Sequence, residues 1–72
     1  RSTNIPAYVI YNGGRSQVPC TIRNISEGGA KLETATSVRD IPPTFDLVVP
    51  GQRPRACRVA WRALRELGVA FS

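Results

Sequence analysis

Histidine is absent from this sequence, and cysteine occurs only twice among its 72 residues. Without histidine, the chain lacks the side chain that most often carries protons in catalysis near neutral pH. Neither Cys20 nor Cys57 has an evident base beside it, and the sequence contains no close pair of carboxylates. Two thiols without histidine are also too few ligands for a zinc site. We therefore expect a protein that is not an enzyme, binds no metal and needs no cofactor.

Long apolar runs are missing as well. No stretch approaches the roughly 20 apolar residues that a membrane-spanning helix needs, and the chain does not open on a charged segment followed by an apolar one. These absences predict a cytoplasmic protein without a membrane span. The sequence starts at Arg1 rather than at methionine, so we expect the N-terminal arm of the domain to be truncated.

The composition is that of an ordinary globular domain, with 42% hydrophobic and 21% charged residues. Such a chain folds rather than staying disordered, and its length leaves room for one hydrophobic core. We therefore expect a single domain over residues 1–72. Cys20 and Cys57 each lie within an alternating apolar run, which predicts two buried, reduced thiols.

Apolar and polar residues alternate along most of the chain, with the period of two that is typical of half-buried strands. The segments that carry this pattern are 7–11, 18–23, 30–33, 45–49, 55–63 and 67–72. Asn12-Gly13-Gly14 is predicted to form a hairpin turn, and residues 34–44 a connecting loop with at most one helical turn. Six short strands favour a small all-β, antiparallel barrel or sandwich, and closure into a barrel best protects the strand edges.

The strand predicted over residues 55–63 carries the only tryptophan. Trp61 falls on the same face as Cys57 and Val59, so we expect it in the core. Arg58 and Arg62 fall on the opposite face, where we expect them in solvent.

The segment between the second and third predicted strands combines groups that suit a ligand site. Asn24 and Ser26 are two residues apart and so point the same way, and the glycines that follow let the backbone approach a ligand closely. The net charge of +5 comes from nine arginines and one lysine against five acids, which suggests an anionic partner such as a phosphate. The alternative is that Asn24 and Ser26 only bond their own backbone in a turn.

These residues resemble the PilZ domain family. The family motif Asp/Asn-x-Ser-x-x-Gly is matched by Asn24, Ser26 and Gly29, and Gly29-Ala30-Lys31-Leu32 continues it in a typical way. The likeness covers almost all of the chain. It rests further on the segments Cys20-Thr21-Ile22-Arg23, Phe45-Asp46-Leu47, Cys57-Arg58-Val59-Ala60-Trp61-Arg62 and Gly68-Val69-Ala70-Phe71.

The resemblance implies a split, six-stranded β-barrel whose outer surface binds the bacterial second messenger cyclic di-GMP. It implies that the domain relays this signal to motility, exopolysaccharide or biofilm machinery, through a protein effector or a neighbouring domain. By the same resemblance, Asn24 and Ser26 would bond the guanine base and the ribose-phosphate, Gly29 would allow the tight turn, and Arg1 would contact phosphate or guanine. Arg23 is added to this ligand-binding set because it lies beside the motif.

The second part of the family site is an Arg-x-x-x-Arg motif on the arm before the first strand, and here the sequence departs from the family. With the arm aligned on Ile5-Pro6-Ala7, the second arginine position holds Asn4, and the first position would precede Arg1. A missing guanidinium removes charge-assisted phosphate bonds and a stacking plane. The alternative function is therefore a degenerate PilZ adaptor that binds a protein partner and no nucleotide.

A nucleic-acid-binding barrel is a third interpretation of a small basic β domain. Such proteins stack bases on exposed aromatic side chains. Tyr8 and Tyr11 fall on opposite faces of one predicted strand, and no cluster of basic and aromatic residues occurs. We therefore expect no nucleic-acid partner.

Overall fold

Six antiparallel strands close into a barrel in the computed structural model, which describes all 72 residues. The strands are β1 (Ser2–Tyr11), β2 (Ser16–Ile25), β3 (Gly29–Thr34), β4 (Thr44–Val48), β5 (Arg55–Arg62) and β6 (Glu66–Phe71). Around the barrel they follow the order β1-β2-β3-β6-β5-β4, and β4 pairs with β1 to complete the closure. The predicted all-β, six-stranded antiparallel barrel is confirmed.

The interior of the barrel is filled by the apolar residues of the alternating pattern. Because successive side chains of a strand point to opposite faces, every second residue enters the core. Twelve buried hydrophobic residues form one cluster: Ala7, Val9, Cys20, Ile22, Leu32, Val38, Ile41, Phe45, Leu47, Cys57, Leu67 and Val69. Ten of these twelve lie on strands, and the other two come from a loop.

The hairpin turn between β1 and β2 forms where the sequence predicted it. Asn12, Gly13 and Gly14 all have positive φ, at 53°, 65° and 92°, which asparagine and glycine adopt more readily than other residues. The Arg15 amide donates to the Asn12 carbonyl at 3.2 Å and closes this turn. No helix of the structure is long and apolar enough to cross a membrane.

The loop 35–43 closes one end of the barrel. It contains no helical turn, but it buries Val38 and Ile41, which the sequence pattern did not predict. The Val38 amide donates to the Leu64 carbonyl at 3.2 Å, which ties the loop to the turn between β5 and β6. Burying each aliphatic side chain contributes about 1.5–3 kcal/mol, so the loop is part of the core.

Three strand pairs contain an extra residue that interrupts the alternation, and in β1–β2 it lies on β1 between Ser2 and Ile5. Between β2 and β3, Ile22 pairs with Leu32 but Asn24 pairs with Lys31, so Arg23 is the extra residue. Between β5 and β6, Val59 pairs with Val69 but Trp61 pairs with Gly68, so Ala60 is extra. Such a β-bulge reverses the side-chain direction of the residues that follow it.

The bulge at Ala60 makes the prediction for Trp61 wrong. Trp61 is 46% exposed and lies on the outer surface of the barrel instead of the core. Arg62 is exposed as predicted, and its Nη1 donates to the Val38 carbonyl at 2.8 Å and so holds the loop that closes the barrel.

Candidate functional site

The turn between β2 and β3 brings the three motif residues together. The Ser26 amide donates to the Gly29 carbonyl at 2.9 Å, and the Ser26 hydroxyl donates to the same oxygen at 3.3 Å. This bonding is the turn-building role that we kept as an alternative. A hydroxyl has two acceptor lone pairs besides its one donor, so exposed Ser26 can still accept a hydrogen bond from a ligand.

Asn24 contacts Arg1, the residue before β1, whereas Asn4, which was predicted to lie on an arm before the first strand, lies within β1. The Arg1 backbone nitrogen lies 2.8 Å from Asn24 Oδ1 and 2.9 Å from the Ile25 carbonyl oxygen, and the Ile25 amide donates to the Arg1 carbonyl at 2.9 Å. The Ile25–Arg1 backbone bond therefore places Arg1 beside Asn24. Its Nδ2 group, which carries two donors, makes no hydrogen bond to the protein and faces outward.

Gly29 is required by the packing of β3 against β6. A Cβ atom at this position would lie 2.2 Å from the backbone oxygen of Val69. Only glycine lets the two strands approach so closely at the start of β3. The motif glycine therefore has a structural reason that is independent of any ligand.

A shallow depression of about 190 Å³ lies over this turn. Its lining consists of Asn24, Ile25, Ser26, Gly29, Ala30 and Lys31. All three motif residues line it, but the other two predicted ligand residues, Arg1 and Arg23, do not. Arg23 Nη1 lies 3.7 Å from Glu33 Oε1 in a half-exposed ion pair, a contact that typically contributes less than about 1 kcal/mol.

The outer face next to this depression carries a row of residues in register across four strands. Asn24 on β2 pairs with Lys31 on β3, Lys31 pairs with Gly68 on β6, and Gly68 pairs with Trp61 on β5. A Cβ on Gly68 would lie 2.0 Å from Trp61 Nε1, so the indole covers the glycine. An amide, an ammonium group and an indole thus share one row.

Lys31 and Trp61 were not among the predicted site residues. Lys31 Nζ lies 3.4 Å from Glu66 Oε2, and both side chains are partly exposed. The sequence contains one signal that could have placed Trp61 outside, because a glycine on the adjacent strand leaves space for a large side chain to cover it. That signal becomes visible only once the register of β5 and β6 is known.

The largest depression in the surface lies elsewhere, between β1, β4 and β5, with a volume of about 570 Å³. Its ten lining residues include the exposed carboxylate of Asp46 but no arginine and no lysine. An anionic ligand would meet a negative charge there without a compensating cation. The smaller depression beside Asn24 and Lys31 is therefore the better candidate for a phosphate-containing ligand.

Both cysteines are buried and unpaired, as expected. Burial, reinforced by the neighbouring Cys57, raises the pKa of Cys20 from its ordinary value of 9.0 to about 11. Burial likewise raises the pKa of Cys57 to about 11, an effect that Arg55 opposes and Asp46 reinforces. A nucleophilic thiol needs a lowered pKa, so neither sulfur is prepared for covalent catalysis.

The closed barrel and its polar outer face define a small β-barrel binding domain. A scan of protein-family models matches the PilZ domain over residues 1–72, the whole chain. The chain belongs to the PilZ domain family, whose members are in general binding modules for cyclic di-GMP rather than enzymes. Searches of the curated proteins and of the solved structures gave no match.

Proposed function

We propose that this domain binds cyclic di-GMP on the outer face of β2, β3, β6 and β5, and that it relays the bound state to motility, exopolysaccharide or biofilm machinery. The observation that carries the proposal is the row formed by Asn24, Lys31 and Trp61, which borders the depression over the β2–β3 turn. Family membership supports the same ligand.

The chemistry of this row suits the parts of a cyclic dinucleotide. The free Nδ2 donors of Asn24 suit the acceptor edge of guanine, and the Ser26 hydroxyl can accept from a base or ribose donor. Lys31 provides a cation for a phosphate. The exposed indole of Trp61 offers a flat apolar surface on which a base can stack, a contact that contributes about 1–3 kcal/mol per base.

The arm adds Arg1 to this arrangement. The Ile25 amide donates to the Arg1 carbonyl at 2.9 Å and keeps this residue beside the motif, where its guanidinium would add a positive charge for a phosphate. Asn4, which occupies the second arginine position of the family motif, offers no positive charge. Binding then depends more on the barrel face than on the arm.

The second candidate function is an adaptor that binds a protein partner and no nucleotide. Asn4 is the observation that favours it, because an arm without its arginine loses charge-assisted phosphate bonds. The two candidates differ in whether cyclic di-GMP binds at all.

Calorimetric titration of cyclic di-GMP into the 72-residue chain, and into any longer form of the gene product, tests the proposal at a stated salt concentration. We expect saturable binding, with a change in Trp61 fluorescence over the same concentration range. Ser26→Ala should weaken binding about five-fold, because a hydrogen bond contributes about 1 kcal/mol.

The matched control is Ser37→Ala, which also removes an exposed hydroxyl that bonds the backbone, in this case as an acceptor from the Arg39 amide at 3.2 Å. It lies in the loop 35–43 and should leave the affinity unchanged. Absence of binding in every form of the protein would reject the nucleotide-binding proposal in favour of the adaptor. Equal losses in both serine variants would reject the site.

A further inference from the structure

Arg58 lies in the row of residues next to the one that contains Trp61. It is exposed on β5 and pairs with Ala70 on β6, and Ala70 pairs in turn with Gly29 on β3. Gly29 is the glycine of the Asn24-x-Ser26-x-x-Gly29 motif. The barrel therefore places an arginine from β5 in register with the motif turn, although 28 residues separate the two in sequence.

The space between Arg58 and Gly29 is nearly free of side chains. Neighbouring strands lie about 4.8 Å apart, so two strand spacings put the Arg58 Cα roughly 10 Å from the Gly29 Cα. An extended arginine side chain spans most of that distance. Only the methyl group of Ala70 lies between them on this row, and in the adjacent row the Trp61 indole covers Gly68. A planar ligand or a phosphate can therefore rest on this surface.

The guanidinium of Arg58 has no partner within the protein, which distinguishes it from the other arginines of β5. Arg55 lies over the Phe71 ring at 3.7 Å, and Arg62 donates to the Val38 carbonyl. The ion pairs of the barrel join Arg23 to Glu33 and Lys31 to Glu66, and neither involves Arg58. Its charge and its donors are therefore available to an anion.

We propose that Arg58 supplies, from β5, a phosphate-binding guanidinium that compensates for Asn4 at the second arginine position of the family motif. The inference rests on the proposed binding of cyclic di-GMP. A phosphate above Ala70 and Gly29 would lie between Arg58 on one side and Lys31 on the other. Arginine suits this place because its fork binds two phosphate oxygens at once, which an ammonium group cannot do.

Titration of cyclic di-GMP into Arg58→Ala tests this role. A hydrogen-bonded contact to a charged group accounts for roughly a 10- to 100-fold change in affinity, so we expect the dissociation constant to rise by that factor. The salt dependence of binding should also become less steep, because one phosphate contact is lost. Arg58→Lys should restore part of the affinity and most of the salt dependence.

The matched control is Arg15→Ala, which removes the same charge from an exposed position in the turn between β1 and β2. It should change the affinity less than two-fold. If Arg58→Ala and Arg15→Ala reduce binding equally, only net charge matters and the inference is wrong. If Arg58→Ala binds like the unaltered chain, the inference fails while the proposed function stands. If the unaltered chain does not bind, both are rejected.

Discussion

The junction between β2 and β3 and the hairpin of β5 and β6 both combine a β-bulge with a closely packed glycine, but the two glycines contact different groups. Each contains a bulge, at Arg23 and at Ala60, and each bulge is followed by an outward side chain of the candidate site, Asn24 or Trp61. Each also contains a glycine in close contact. Gly29 lies against the backbone of β6, whereas Gly68 lies under the Trp61 indole.

The difference between the two glycines shows which region can adjust. The backbone of a strand that is hydrogen-bonded within a closed barrel has little freedom to move. A Cβ at Gly29 would therefore disturb the pairing of β3 with β6. An exposed side chain can rotate away at much lower cost, so a Cβ at Gly68 would mainly displace the indole. The β2–β3 junction is therefore structurally rigid, and the hairpin face is adaptable.

Alkaline pH should produce the largest loss in the free energy of unfolding, because one buried thiol lies in each region, Cys20 on β2 and Cys57 on β5. Each pKa is raised from 9.0 to about 11, so each thiol stays protonated in the folded chain while it ionises in the unfolded one. The resulting stabilisation is complete below pH 9 and is lost as the pH rises to 11, with each thiol accounting for on the order of 2 kcal/mol.

Urea unfolding at a series of pH values between 8 and 11 measures this loss. Cys20→Ala and Cys57→Ala should each flatten the pH dependence by about half. A steep dependence that persists in the double variant would assign the alkaline transition to other groups.

Gly29→Ala should give the next largest loss of stability, at the contact between β3 and β6. The new Cβ meets a backbone oxygen, so the strands must separate, and we expect a loss of about 3 kcal/mol in the free energy of unfolding. For a domain of this size, that loss lowers the melting temperature by roughly 15 °C. Thermal unfolding followed by circular dichroism measures it.

Gly28→Ala is the matched control in the same turn, because a Cβ at that position has no neighbour within 4 Å. It should change stability by less than about 0.5 kcal/mol. Similar melting temperatures for the two variants would show that β3 and β6 can separate easily and would remove the contrast between the regions.

Gly68→Ala should give the smallest effect on stability, at about 1 kcal/mol or less, because the exposed indole of Trp61 can rotate away from the new methyl group. The indole should become more exposed, which tryptophan fluorescence reports as a shift of the emission to the red. Binding of cyclic di-GMP should weaken, since the stacking surface is displaced.

A double-mutant cycle that combines Gly68→Ala with Trp61→Ala measures how much of the stability loss comes from contact between the new methyl group and the indole. In the Trp61→Ala background, Gly68→Ala should be neutral or slightly stabilising, because alanine reduces the entropy of the unfolded chain. A cost that is unchanged without the indole would place the obstruction in the backbone, as at Gly29.

Much of the fold was predictable because its signals are local. Alternation over a few residues located all six strands, and Asn12-Gly13-Gly14 identified a turn whose positive φ angles are now observed. The bulge at Ala60 was not predictable from the same signal, since an extra residue changes the direction of Trp61 without changing the composition around it. Val38 and Ile41 were missed because a core position in an irregular loop has no period.

The candidate site also contains residues that a local motif identifies and residues whose position only the structure shows. Asn24, Ser26 and Gly29 could be selected from the sequence because they form one short motif, and they line one depression in the structure. Arg23 was selected for its proximity in sequence, but its side chain extends toward Glu33. The ligand roles of these residues and of Arg1 remain predictions.

The amino-acid sequence by itself determined the strands, the turn after β1 and the motif between β2 and β3, because each depends on residues within a few positions of one another. Only the tertiary structure decided which distant residues share a face. Closure of the barrel sets β6 between β3 and β5, and this register places Lys31, Trp61 and Arg58 around the motif turn. Pairing across strands joins residues that are far apart in the chain, so no local pattern contains that information.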